Sequence, residues 1–196
     1  AEINWLSAAR FFLFGSRDVW FVVGLPVFLY SVLGWSFTQV GGFFAFWVIG
    51  YGIVQASAPK LLRRSHHGSG PGGGTARVWA LILAVLPMGM ALALAQGWDP
   101  ELVVILGLVL FGIVFAVNSA VHSYLILAYS DFDKVSMNVG FYYMANAGGR
   151  LTGTILSGWA YQQYGLEGCL WWSAVFVLLT LLLSLRLPEV SAPAEA

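Results

Sequence analysis

Six long apolar stretches are the feature that most constrains how this chain can fold. They cover residues 19–37, 40–58, 78–96, 102–127, 137–160 and 168–187. Each has roughly the 20 residues that a helix needs to cross the hydrocarbon core of a bilayer, and none has the alternation of a barrel strand. Inside lipid, every backbone amide needs a partner within its own segment, and a helix provides one. The sequence therefore predicts an all-α membrane protein with six transmembrane helices.

The composition excludes several other classes of protein. Only 9% of the 196 residues are charged, against about 25% in an ordinary soluble domain, and nine basic residues balance nine acidic ones. Without a basic excess we expect no nucleic-acid partner. The single cysteine, Cys169, excludes a disulfide framework. The chain lacks the common hydrolase, metalloprotease and phosphate-loop motifs, so we expect no enzyme activity, no cofactor and no metal site.

Basic residues are very unevenly distributed between the ends of these stretches. If the helices alternate, one side has eight and the other has none; the eight are Arg10, Arg17, Lys60, Arg63, Arg64, Arg77, Lys134 and Arg186. By the positive-inside rule, both termini are then cytoplasmic. Residues 1–17 are apolar at helical spacing but too short to span, which predicts an amphipathic helix at the cytoplasmic interface. Residues 18–187 then form the six-helix transmembrane domain, and residues 188–196 form a cytoplasmic tail.

Two further features concern the connections and the shape of the helices. The cytoplasmic loop 59–77 begins with basic residues and continues with a glycine-rich part that we expect to be flexible. Its adjacent histidines, His66 and His67, have no carboxylate nearby in sequence and do not predict a metal site. Pro26 and Pro87 lie inside predicted helices, where each is expected to mark a kink.

Arg150 is the residue least expected in a membrane helix. It lies near the middle of the fifth stretch, where an arginine costs roughly 2.5–3.5 kcal/mol on insertion scales. All nine carboxylates fall in predicted loops, tails or helix ends, so we expect no acidic partner at the same depth. Two interpretations remain open. Arg150 binds a negatively charged substrate, or it is a structural arginine bonded to backbone carbonyls or to a missing partner.

Polar side chains near Arg150 favour the first interpretation. They recur every four residues and so form one ridge on the helix, made of Asn138, Tyr142, Asn146, Arg150 and Thr154. A row of small residues runs beside this ridge and predicts the close approach of another helix; it is made of Ala145, Gly149, Gly153 and Ser157.

Two shorter polar pairs are candidates for the lining of a pore. Asn118 and His122 lie one turn apart on the fourth stretch, and Tyr51 and Gln55 form a similar pair on the second. His122 either carries a coupling proton or forms a hydrogen bond between helices. The candidate substrate-binding residues are thus Arg150, Asn146, Tyr142, Asn118, His122 and Gln55.

Four segments carry a resemblance to a known family. They are SRDVWFVVGLPVFLYSVLGW from Ser16, FWVIGYGIVQASAP from Phe46, NVGFYYMANAGGRLTGTILSG from Asn138 and GCLWWSA from Gly168. The chain resembles the C-terminal six-helix half of a major facilitator superfamily transporter, and in particular the organoarsenical efflux permeases of arsenic-resistance operons. In the superfamily's loop motif, Gly-x-x-x-Asp-Arg-x-Gly-Arg-Arg, the basic positions are matched by Lys60, Arg63 and Arg64. Its Gly, Asp and second Gly are replaced by Gln55, Pro59 and Leu62.

The resemblance implies a function and several partners. It implies alternating-access export of 1-arseno-3-phosphoglycerate across the bacterial inner membrane, with a functional link to the glyceraldehyde-3-phosphate dehydrogenase that forms this compound. It also implies an N-terminal six-helix half, on the same polypeptide or on a second chain. Two alternatives stay open, namely a superfamily transporter of another solute such as a sugar or drug, and a six-helix membrane subunit that does not transport.

Overall fold

The computed structural model describes residues 1–65 and 70–190, and all regular structure in these residues is helical. His66 and His67 lie outside the described residues, as does most of the predicted tail. The elements are α1 (Glu2–Phe21), α2 (Gly24–Ser31), α3 (Phe37–Ser65), α4 (Gly73–Ala95), α5 (Pro100–Ala128), a 3₁₀ turn (Phe132–Lys134) and α6 (Val135–Ser184).

Five helical segments among the described residues are long and apolar enough to cross a membrane. They are Glu2–Ser31, Phe37–Ala58, Gly73–Ala95, Pro100–Ala128 and Phe132–Ser184. The predicted fifth span and most of the predicted sixth fall in the last of these. The 50 residues of α6 would extend about 75 Å if straight, against about 30 Å of hydrocarbon. The backbone of Gly165, at φ 64° and ψ −160°, instead separates two helices, residues 135–164 and 166–184.

The structure does not end the predicted interfacial helix at residue 17, and the location of these residues at the membrane interface stays a prediction. These residues belong to α1, which continues through a short break into α2 as one membrane-length segment. Leu6, Leu13 and Trp20 are fully buried along it. This segment begins 17 residues before the predicted first span, 19–37, and Gly34, at φ 71°, lies in the connection between α2 and α3. Arg10 and Arg17 consequently lie within a helix and are not loop charges.

The helix is interrupted close to Pro26, where the sequence predicts a kink. The ring nitrogen of Pro26 has no hydrogen to donate to the carbonyl of Val22, four residues earlier. Accordingly α1 ends at Phe21 and α2 begins at Gly24. The Gly24 amide, near this break, donates instead to Oγ of Ser157 at 3.1 Å. Pro87, by contrast, lies inside α4 without interrupting it.

The row of small residues on α6 is where α1 packs, as predicted. A Cβ added at Gly149 would collide with the backbone of Phe11, and one at Gly153 would lie 2.6 Å from the carbonyl oxygen of Gly15. Without side chains at these positions, the two helix backbones approach directly. This contact fixes the distance between α1, with its charged residues, and the part of α6 that carries Arg150.

The start of the predicted tail is bound to the helices. The amide of Gly73, at the start of α4, donates to the carbonyl of Pro188 at 3.0 Å, and the Tyr129 hydroxyl donates to the same oxygen at 2.5 Å. Burial raises the pKa of Tyr129 to about 12, so the hydroxyl keeps its proton at neutral pH. Glu189 accepts from the Gly74 amide at 2.7 Å and from Arg77 at 2.9 Å. This carboxylate suits the positive end of the α4 dipole.

Alanine at Gly73 is expected to release this tail. Its Cβ would collide with the carbonyl of Leu187, a backbone group that cannot rotate away. We expect the free energy of unfolding to fall by about 1–3 kcal/mol, as in overpacked cores, with faster protease cleavage near Val190. Gly89, also on α4, has open space where a Cβ would be added, so Gly89→Ala is the matched control. Equal cleavage of the two variants would contradict a bound tail.

Candidate functional site

Arg10 on α1 is the centre of a buried polar network. The residue is only 3% exposed. Nη1 donates to the carbonyl oxygen and to Oγ of Ser119 on α5, at 3.1 and 3.2 Å, and Nε donates to Oδ1 of Asn146 on α6, at 3.2 Å. Nε2 of Gln55 on α3 also donates to Oγ of Ser119, at 3.4 Å. The hydrogen-bond network around this guanidinium therefore includes residues from four helices.

Aromatic rings cover the faces of the Arg10 guanidinium. Its Cζ lies 3.9 Å from the ring centroid of Phe14 and 4.8 Å from that of Tyr142. The Cζ of Arg17 lies 5.2 Å from the same Phe14 ring and 5.3 Å from that of Phe115. Cation–π contacts of this kind stabilise a cation that is removed from water, but they supply no negative charge. Two guanidiniums therefore share one aromatic ring within the bundle.

Asp18 is the partner that sequence reasoning did not find for Arg150. Nε of Arg150 donates to Oδ2 of Asp18 at 3.0 Å, and Oδ1 of the same carboxylate accepts from Nε and Nη2 of Arg17, each at 2.6 Å. Asp18 is 1% exposed. The expectation that no carboxylate lies at the depth of Arg150 is therefore wrong. Asp18 was assigned to a helix end because the first helix was placed 17 residues too late.

These four residues carry unbalanced charge. We call Arg10, Arg17, Asp18 and Arg150 the arginine cluster. It has three guanidiniums and one carboxylate. Among the described residues, Asp18 is the carboxylate that makes salt bridges in this cluster, and Arg10 has only neutral acceptors. Burying an uncompensated cation is expensive, so the cluster is suited electrostatically to an added anion.

The predicted polar ridge on α6 divides between different partners. Asn146 and Tyr142 contact Arg10, whereas Arg150 contacts Asp18. The outer members bond locally, because Asn138 donates to Oγ of Ser130 and Thr154 to the carbonyl of Arg150. Three of the six predicted substrate-binding residues therefore come together. Asn146 and Tyr142 contact Arg10, and Gln55 contacts its partner Ser119. Arg150 belongs to the same arginine cluster.

Asn118 and His122 have different environments on α5. Nδ2 of Asn118 donates to the carbonyl of Trp79 on α4 at 2.9 Å and to that of Val114 at 3.0 Å, which makes it a tie between helices. His122 is fully buried, and neither ring nitrogen has a hydrogen-bond partner within residues 1–65 and 70–190. His122 therefore forms no hydrogen bond between helices within the described residues, contrary to that interpretation. Its proposed role as a proton carrier stays a prediction.

Four residues of this site were not among the candidates chosen from the sequence: Arg10, Arg17, Asp18 and Ser119. A usable signal was present, because residues 2–31 are apolar enough on average to span a membrane, and Arg10, Arg17 and Asp18 lie on one helical face within them. The charges were interpreted as the boundary of a span rather than as part of it. Ser119 offers no such signal, because a serine is common in any membrane helix.

Comparisons with protein-family models and with curated proteins found no match to this chain.

Proposed function

We propose that this chain is the C-terminal half of a major facilitator superfamily transporter that exports a small organic anion. The observation that carries the proposal is the arginine cluster, with three guanidiniums against one carboxylate inside a bundle of membrane-length helices. Charged residues in such helices are expensive and commonly mark the path of a substrate or ion. A phosphate or arsenate group supplies the missing negative charge and matches the fork geometry of arginine.

The proposal extends to the substrate and the setting. The organic anion is an organoarsenical such as 1-arseno-3-phosphoglycerate, formed in the cytoplasm by a glyceraldehyde-3-phosphate dehydrogenase. In this proposal the chain has six spans, counted by dividing α6 at Gly165, and both termini lie in the cytoplasm of a bacterial cell. An N-terminal six-helix half completes the transporter, and substrate binds between the two halves near the middle of the bilayer. The protein has no enzyme activity of its own in this proposal.

Transport in inverted membrane vesicles tests the function. Vesicles that contain the full-length protein are supplied with arsenate, glyceraldehyde 3-phosphate, NAD and the dehydrogenase, and accumulated arsenic is measured. We expect Arg150→Ala to lower uptake about tenfold, because one charge-assisted hydrogen-bond donor is lost. Arg150→Lys keeps the charge and loses the fork, so we expect an intermediate rate. Lys134→Gln removes a cation from an exposed turn and is the matched control.

The alternatives predict different outcomes in the same vesicles. A transporter of another solute would show no arsenic uptake above empty vesicles, and neutral sugars or drugs would be the solutes that accumulate. A subunit without transport activity would accumulate none of these solutes, and Arg150→Ala would lower the amount of assembled protein instead. Equal uptake by Arg150→Ala and the Lys134→Gln control would contradict a role of Arg150 in binding the anion.

A further inference from the structure

The carboxylate of Asp18 holds two arginines that come from different parts of the fold. Arg17 precedes it directly on α1, whereas Arg150 reaches it from α6. The two contacts are unequal. Oδ1 accepts from two nitrogens of Arg17 at 2.6 Å, while Oδ2 accepts from one nitrogen of Arg150 at 3.0 Å. The contact between helices is therefore the weaker one and the easier to exchange.

The exposure of the two partners in the Oδ2 contact is also unequal. The side chain of Asp18 is 1% exposed, whereas that of Arg150 is 54% exposed. Only Nε of Arg150 donates to an acceptor among the described residues, so its two terminal nitrogens remain for another acceptor. An anion that approaches the open side of Arg150 therefore meets unused donors, with Asp18 on the far side of the guanidinium.

Chemically, Asp18 resembles the ligand of the proposed function. A carboxylate and a phosphate both present pairs of anionic oxygens to a guanidinium. Within the arginine cluster, Asp18 supplies the one negative charge, and a bound anion would supply a second. If an anion took the place of Asp18 at Arg150, the Asp18 carboxylate would still have its salt bridge to Arg17 and would not be buried without a partner.

We propose that Asp18 is an internal counter-anion of Arg150, which a phosphate-bearing ligand displaces when it binds. This inference rests on the proposed function and adds a residue that sets its affinity. Binding then exchanges the Arg150–Asp18 contact for a contact between Arg150 and the ligand, while Asp18 stays with Arg17. The exchange removes one ionic tie between α1 and α6, at the place where Gly149 and Gly153 bring the two helices together.

Ligand affinity tests this role of Asp18. The full-length protein is purified in dodecyl maltoside, a detergent without phosphate, and titrated with 3-phosphoglycerate by calorimetry. Asp18→Asn removes the competing charge, so we expect the dissociation constant to fall about tenfold. Arg150→Gln in the same assay is expected to raise it. The double variant Arg17→Gln/Asp18→Asn keeps the net charge of the cluster and frees Arg150, so it is also expected to bind more tightly than the wild type.

The outcomes separate this inference from the proposed function. If wild type and Asp18→Asn bind with equal affinity, or Asp18→Asn binds more weakly while remaining monodisperse, the inference fails and the anion site stands. If no form binds 3-phosphoglycerate and vesicle uptake is also absent, both fail. If Asp18→Asn does not fold, the affinity of the double variant is compared with that of the wild type instead, and equal or weaker binding overturns the inference. If neither variant folds, Asp18 is a structural residue and the inference is overturned.

Discussion

Alanine at Gly149 is expected to push α1 away from α6 and to destabilise the helical bundle. The added Cβ would collide with the carbonyl oxygen and Cα of Phe11, so relief requires movement of a whole helix. Overpacking usually costs about 1–3 kcal/mol, and a collision between two backbones lies at the upper end. Because Arg150 is the next residue, the same movement also disturbs its contact with Asp18. The midpoint of thermal unfolding in detergent measures the effect.

The adjacent glycine provides the control for this prediction. A Cβ at Gly148 would come no closer than 3.4 Å to a heavy atom outside its own helix turn, which is ordinary contact with the ring of Phe11. Alanine is a better helix former than glycine by roughly 1 kcal/mol, so Gly148→Ala is expected to be neutral or slightly stabilising. Similar unfolding midpoints for the two variants would show that α1 does not pack on α6 through this face.

The general architecture follows from the sequence because lipid allows few solutions. Apolar runs of membrane length must be helical, and the small residues of α6 must face another helix backbone. Both expectations agree with the positions of α3, α4, α5 and the α1–α6 contact. The exact number of spans is harder to infer, since Gly165 divides α6 by a backbone angle that no hydropathy average reports.

The start of the first helix was misplaced for a physical reason. Charged residues usually mark the end of a membrane span because isolated charges are costly in lipid. Arg17 and Asp18 satisfy each other, and Arg10 is surrounded by acceptors and aromatic rings, so the helix continues through all three. Only the folded structure reveals the hydrogen-bond acceptors of Arg10, because they come from α5 and α6, more than 100 residues later in the chain.

The candidate site was therefore predicted in part. Tyr142, Asn146 and Gln55 were chosen for their helical spacing, and they do meet, but around Arg10 rather than Arg150. The positive-inside argument also changes, because Arg10 and Arg17 lie inside the first membrane-length segment and not before it. The remaining basic residues of that side are Lys60, Arg63, Arg64, Arg77, Lys134 and Arg186. The opposite side still has none, so cytoplasmic termini remain a prediction.

Methionine at Arg10 is expected to abolish anion transport while the protein still folds. Arg10 is the guanidinium of the arginine cluster that has only neutral acceptors among the described residues. The cost of dehydrating the buried charge disappears with Arg10, which offsets the hydrogen bonds lost by Ser119 and Asn146. Gln55 still donates to Oγ of Ser119 in the variant. Loss of the charge removes roughly 3 kcal/mol of attraction to an anion, or about a hundredfold in rate.

Transport and stability must be measured together to interpret this variant. In the inverted vesicles, we expect arsenic uptake by Arg10→Met to fall to the level of empty vesicles, with an unfolding midpoint close to that of the wild type. Arg10→Lys keeps the charge, but its single ammonium cannot reach both Ser119 and Asn146 from one position, so partial uptake is expected. Normal uptake by Arg10→Met would show that Arg10 only ties the helices together. In that case, anion recognition would depend on Arg150, and the Asp18 variants would become the decisive comparison.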